Sequence, residues 1–245
     1  MYGERFSICV ALGALLLATE ASAQGAEKVG WEPAYSSVCS PCDLDQKRLT
    51  GWHLDSGQFQ HSKFTGANLR SVSAQEANFS GADLTAANLV DAKLNGAHFE
   101  DATLDQAKMQ RVSATGLNAT GARLIGANLR AAKFVGATFR DADLSGASAI
   151  DAVFATASLR GARAEKTNFS RANFNGANLT NASFLGANLE NATFLDAQLG
   201  GADFSGALSL ETANFTGACI STSTRLPPAI TIPDCPPAPL AAILD

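Results

Sequence analysis

From Leu44 to Phe204 every fifth residue is Leu or Phe, broken only at Met109 and at Ala74, Ala114, Ala119, Ala149 and Ala164. Two residues before most of these centres stands Ala, as in Gly66-Ala67-Asn68-Leu69-Arg70 and Gly126-Ala127-Asn128-Leu129-Arg130. A period of five excludes the two regular elements. On an α-helix five residues rotate by about 500°, so the centres drift around the helix and form no apolar stripe. On a long strand an odd spacing sends successive centres to opposite faces. A chain that turns a corner every five residues satisfies the pattern. Each centre and the residue two before it then point inward from one short extended segment. Gly, Asn, Asp and Ser beside each corner supply turn conformations.

The number of corners per coil is legible at a longer period. Phe134, Phe154, Phe174 and Phe194 lie 20 apart, as do Phe59, Phe79 and Phe99, and as do Leu84, Leu104, Leu124 and Leu144. Four pentapeptides per coil stack each column in contact, and eight coils make a rod of roughly 38 Å at the strand spacing of about 4.8 Å. At Ala74, Ala114 and Ala119 the bulk reappears two residues earlier as Val72, Val112 and Leu117, which keeps the filled volume. Ala149 and Ala164 follow Ala147 and Ala162, so looser packing or a local backbone adjustment that turns Ile150 inward is expected there. After Phe204 the register slips by one, to Leu210, Phe215 and Ile220, and a bulge at residues 207–209 is expected to absorb the extra residue.

The ends differ from the middle. Arg5, the apolar run from Phe6 to Ala18 and Ala21-Ser22-Ala23 read as a secretory signal over residues 1–23. Residues 24–43 are expected to form an N-terminal cap, 44–220 the repeat, and 221–245 a Pro-rich tail that cannot continue the ladder and folds over the last coil. An exported protein, periplasmic or secreted from a bacterium, with no membrane insertion after signal cleavage, follows from this reading. The formal net charge of −5 brings no general attraction to nucleic acid.

Cysteine usage fits export. Cys39, Cys42, Cys219 and Cys235 remain after cleavage, an even number that suggests two disulfides. The rod puts the first two and the last two at opposite ends, which disfavours a four-Cys zinc site. Cys39 with Cys42, and Cys219 with Cys235, are the expected pairs. A redox dithiol at Cys39-Ser40-Pro41-Cys42 is the alternative. No cofactor or metal is expected.

The tandem copies resemble the pentapeptide-repeat family, whose consensus is a small residue, Asp or Asn, Leu or Phe, a polar residue and Gly. The resemblance covers about 175 of the 245 residues. It implies an all-β fold, a right-handed quadrilateral parallel β-helix of about 8–9 coils. It implies little about activity. The best-understood members resemble duplex DNA and bind DNA gyrase, a role that requires this chain to stay in the cytoplasm.

Catalysis is not expected. His53, His61 and His98 are surface residues in this reading, with no carboxylate or Ser placed to complete a triad. Asn68, Asn88, Asn128, Asn168 and Asn188 fall in one column and are expected to hydrogen-bond along it. The same face carries Arg70, Lys108, Arg111, Arg130 and Arg171, a mildly basic candidate interaction face. The function expected is a non-enzymatic scaffold for an unidentified protein partner. The alternatives are a self-associating envelope protein, dimeric through its C-terminal end, and a DNA mimic that binds a topoisomerase.

Overall fold

In the computed structural model, residues 39–228 and 230–235 are described. The expected signal segment, residues 24–38 and residues 236–245 lie outside them. The ladder is built from isolated parallel bridges, one per side per coil, between residues 20 apart. One column runs Asp43, Lys63, Asp83, Thr103 and the next Arg48, Asn68, Asn88, Lys108. Four pentapeptides therefore close one coil.

Each pentapeptide has five backbone N–H groups to satisfy, and the ladder accounts for four. The centre donates to the following coil, as Leu44 N–H to Lys63 O at 2.8 Å. The residue before a centre donates to the preceding coil, as Lys63 N–H to Cys42 O at 2.8 Å. The residue two after a centre donates forward, as Gln46 N–H to Thr65 O at 2.9 Å. The next closes the turn, as Lys47 N–H to Leu44 O at 3.1 Å. The fifth N–H, immediately after the centre, has no ladder partner. Asn and Asp supply one. Where they precede the centre, the side chain accepts from this N–H two residues on, as Asn78 does from Ser80 at 2.9 Å and Asp143 from Ser145 at 2.9 Å. Where they follow a centre, they accept from the next coil, as Asp45 does from Thr65 N–H and Asp55 from Gln75 N–H, each at 2.7 Å. The Asn column obeys the first rule. The amide oxygens of Asn68, Asn88, Asn128, Asn168 and Asn188 accept from the backbone of their own turns. These bonds run within the turn, not along the column as the sequence suggested, because a local unsatisfied N–H is the nearer donor.

The interior is one continuous core of the centres and the residues two before them. Phe134, Phe154, Phe174 and Phe194 stack with centroid separations of 5.2, 5.1 and 5.0 Å. The column continues to Phe215 at 4.8 Å, across the register slip. Phe59, Phe79 and Phe99 stack likewise. These spacings are close to the strand repeat, so the backbone sets ring stacking. Neighbouring columns meet edge to face, as Phe134 does Phe139 at 5.0 Å and 90°, the geometry favoured by the ring quadrupole.

The pairs Val72/Ala74, Val112/Ala114 and Leu117/Ala119 are all buried. Ala149 and Ala164 need no backbone adjustment. Ala149 N–H meets Asn168 O at 2.7 Å and Ala164 N–H meets Ser183 O at 2.8 Å, while Ile150 stays half-buried. The expected inward turn of Ile150 is absent, because the ladder bonds hold the backbone in register. A polar side chain enters the core instead: Thr167 is fully buried and donates to Leu144 O at 2.7 Å.

At the C-terminal end the slip is a short 3-10 helix, Leu210–Thr212, entered from Ser209 in the left-handed region. Leu208 still bridges Asn188, 20 residues back, and Asn214 bridges Thr193, 21 back. A second residue is absorbed before Arg225, which bridges Asp203. The ladder thus runs past the expected limit at Ile220, since no Pro occupies residues 221–226. Beyond it the chain returns: Ile220 N–H bonds Pro233 O at 2.9 Å, Cys235 N–H bonds Ile220 O at 2.8 Å, and Ile232 is buried. Among the described residues no helix is long and apolar enough to cross a membrane.

Candidate interaction surface

Function has to reside in the outward positions, and the corners differ. The residue two after each centre has positive φ throughout the rod. On one corner it alternates between a side chain and Gly: His61, Gly81, Asp101, Gly121, Asp141, Gly161, Asn181, Gly201. The side chain lies over the glycine of the next coil, as His61 does over Gly81 and Asp101 over Gly121. Two other corners use Gly often, as at Gly66, Gly126 and Gly186 or at Gly96, Gly116 and Gly136. The remaining corner begins at Gly51 and then carries Ser71, Asp91, Arg111, Ala131, Asp151, Arg171 and Asn191, all at φ between 55° and 62°. A left-handed conformation costs a non-glycine residue about 1 kcal/mol, and here seven consecutive coils bear it.

The charged residues of this corner lock together. Arg111 grips Asp91 with two bonds, Nε to Oδ1 at 2.7 Å and Nη2 to Oδ2 at 2.9 Å. Arg70 approaches the same carboxylate from the other side, Nη2 to Oδ2 at 3.4 Å. Arg171 grips Asp151 in the same way, at 2.6 and 2.9 Å, with Arg130 on the far side at 3.9 Å. Bonding from Arg111, opposed by desolvation and helped by the charges of Arg111 and Arg70, holds the Asp91 carboxyl below its ordinary value. Arg171 does the same for Asp151. The four arginine side chains remain 50–57% exposed. Lys108 lies exposed on the same face, bridged through its backbone to Asn88 and Asn128. The structure thus gathers the predicted face residues Arg70, Lys108, Arg111, Arg130 and Arg171 on one side of the rod, the arginines in two brackets.

His98 has a carboxylate neighbour, contrary to the sequence expectation. Its Nδ1 lies 3.1 Å from Glu100 Oε1, and Ser80 Oγ donates to Glu100 Oε2 at 2.8 Å. Asn118 also donates to Glu100 at 2.6 Å. His98 and Glu100 flank the same centre, Phe99, and ladder register brings Ser80 and Asn118 to them from the adjacent coils. The carboxylate stands between the imidazole and the hydroxyl, so the His does not reach the Ser as a general base must. Burial opposes ionisation of Glu100, but its bonds to backbone, His98 and Ser80 leave its pKa lowered.

At the ends, Cys39 and Cys42 are placed as a disulfide pair with Cα atoms 5.4 Å apart, and Cys219 and Cys235 as another at 4.5 Å. Ser62 is buried beside the first pair, donating to Cys39 O at 2.8 Å and accepting from Cys42 N–H at 2.9 Å. Its role was invisible in the sequence, where it reads as one more departure from Ala. No group of three or more His, Cys, Asp or Glu side chains suited to a metal occurs among the described residues.

The family model for pentapeptide repeats matches overlapping stretches at residues 62–101, 82–118, 107–146, 139–176 and 167–206. The chain belongs to the pentapeptide-repeat family. Similar solved structures include HetL, a pentapeptide repeat protein involved in heterocyst differentiation regulation from the cyanobacterium Nostoc sp. strain PCC 7120. It is 26% identical over 80% of this chain and 94% of that one, with a TM-score of 0.39. QnrB1, a plasmid-mediated fluoroquinolone resistance protein, is 20% identical over 77% and 90%, at 0.34. Rfr23 from the cyanobacterium Cyanothece 51142 is 26% identical over 47% and 64%, at 0.30. A search among curated proteins returns no match. As in the family consensus, this pentapeptide-repeat protein spends its inward positions on the fold and leaves its outward ones to vary.

Proposed function

We propose that this pentapeptide-repeat protein is a non-enzymatic, exported scaffold, a right-handed four-sided β-helix that presents one flat face to a protein partner. The observation that carries the reading is the Gly-poor corner with its two Arg–Asp–Arg brackets. Stacking of coils does not require charge there, since one other corner is closed by uncharged or single side chains over glycines and others leave glycines such as Gly116 and Gly146 uncovered. A surface that repeats at fixed spacing along a rigid rod suits extended recognition. Export is supported by the cysteine pairs at both ends of the rod, which persist in oxidising compartments.

Two measurements test this. N-terminal sequencing and localisation of the mature protein should find cleavage after Ala23 and a periplasmic or extracellular product. A full-length cytoplasmic protein would favour the topoisomerase-binding alternative instead. Photo-crosslinking from Lys108 in the native compartment should capture one recurrent protein, lost when Arg111 and Arg171 are replaced by Gln. Unchanged capture after those replacements would place the contact elsewhere on the rod.

A further inference from the structure

The two brackets are the same unit repeated. Arg70, Asp91 and Arg111 become Arg130, Asp151 and Arg171 on adding 60 to each number, a translation of three coils. The hydrogen bonding repeats with it: the C-terminal arginine of each bracket makes the two-bond fork, and the N-terminal arginine approaches Oδ2 alone. Along the rod the signs run plus, minus, plus, plus, minus, plus, one charge per coil. Each bracket holds two guanidiniums against one carboxylate, an excess of one positive charge that Glu190, acting on Arg171 from the next coil, offsets in part at the second bracket. The forks use Nε and Nη2, leaving the Nη1 edges of Arg111 and Arg171 outside them.

We infer that this corner binds an extended acidic peptide segment laid along the rod, with acidic side chains four residues apart. This deepens the scaffold reading and rests on it. The three-coil repeat spans about 14 Å at the strand spacing, and four residues of extended peptide span about 13.6 Å. An even separation also returns both acidic side chains to the same face of the peptide. The fixed carboxylates of Asp91 and Asp151 sit inside the brackets and oppose any ligand with negative charge at every step. They select a partner whose acidic residues are separated by neutral or basic ones, and disfavour uniform polyanions such as nucleic acid or acidic polysaccharide. The brackets hold the guanidiniums in place before binding, which lowers the ordering cost of association.

The test is fluorescence anisotropy on the full purified protein with a labelled peptide of Thr background. It carries Asp at positions i and i+4 and Lys at i+2. A peptide of identical composition with Asp at i and i+3 puts the acids on opposite faces. The first should bind and the second should not. Binding should weaken with added salt. Replacing Arg111 or Arg171 by Gln should weaken it about tenfold each, the scale of one charge-assisted contact. Arg140 and Arg160, exposed on a different corner, supply the control: replacing both by Gln should leave binding unchanged. Denaturation of each variant verifies the fold. Equal binding of both peptides, preferred binding of a sulfated polysaccharide, or no binding would overturn the inference. So would self-association by light scattering that the Arg111 and Arg171 variants abolish, since a second rod would then be the occupant. Failure of these peptides together with retained crosslinking from Lys108 would remove the extended-peptide geometry and leave the scaffold reading intact.

Discussion

The carboxylate of Asp141 lies over Gly161 of the following coil, in the space that a Cβ on Gly161 would occupy. Gly161 also has φ of 69°. Two costs therefore meet at one position, and a neighbouring corner separates them. Gly146 has φ of 68°, but a Cβ there would meet nothing within 4 Å. Gly146→Ala should cost about 1 kcal/mol, the conformational part alone. Gly161→Ala should cost about 2–3 kcal/mol, because the carboxylate must also move. Adding Asp141→Gly to Gly161→Ala should recover the steric part. Urea denaturation of the four proteins measures the difference. Equal losses in the two single variants would show that the alternation of side chain and glycine is not a packing device.

Phe174 is the middle of the long ring column, stacked on Phe154 at 5.1 Å and on Phe194 at 5.0 Å, and fully buried. Phe174→Ala should cost about 3–5 kcal/mol. Phe174→Leu should cost much less, because Leu already serves as the centre in other columns. In a solenoid each coil contacts only its neighbours, so the loss at Phe174 should also weaken coupling between the two halves of the rod. A denaturation curve that splits into two steps in the Ala variant, but stays single in the Leu variant, is the expected signature.

The pentapeptide period and the 20-residue columns were enough to place Phe59, Phe174 and the Ala-for-Val exchanges inside, because inward positions obey a repeat that volume enforces. The outward chemistry was less legible. Asn68 and its column were correctly placed on one face, but their bonding was not, since only a count of backbone donors reveals the N–H that each must satisfy. The face containing Arg111 and Arg171 could be listed from the sequence. Asp91 and Asp151 stand 20 residues before Arg111 and Arg171 in the same slot two after a centre, so the column period already contained these pairs, and only the fork geometry needed the structure. Ser80 and Glu100 likewise stand 20 apart in one slot, and His98 is two residues from Glu100. Thr167 and Ser62 occupy Ala slots, and the signal that could have found them was a hydroxyl where the repeat wants a methyl.

Reducing the Cys219–Cys235 pair should loosen the end of the rod without melting it. The pair closes a segment 16 residues apart in sequence, worth about 3 kcal/mol by loop entropy. This segment is also held by two backbone bonds at Ile220 and two ladder bonds at Arg225, by the Thr224 hydroxyl bonded to Gly201 and Leu199, by Ile232 and by the ion pair of Arg225 with Asp203 at 2.9 Å. In Cys219→Ser with Cys235→Ser, hydrogen exchange should accelerate over residues 220–235 and remain slow from Phe64 to Phe184. Uniform acceleration along the chain would mean that the end closure supports the whole rod.

Acid should test the brackets directly. Asp91 and Asp151 have pKa values lowered from 3.8 in the folded protein, chiefly by bonds from Arg111 and Arg171 and against desolvation. A carboxyl whose folded pKa lies below its unfolded value stabilises the fold above the unfolded value. That contribution fades as pH falls through the folded one. The window therefore lies below pH 3.8. The Asp91 and Asp151 side chains are 34% and 38% exposed, so solvent screens the effect and added salt should shrink it. Carboxyl NMR titration should show Asp91 and Asp151 below the ordinary range. Arg111→Gln should return Asp91 toward 3.8 while leaving Asp151 in place. If Asp151 shifted as well, the two brackets would be electrostatically coupled, and the corner would act as one six-charge unit instead of two independent ones.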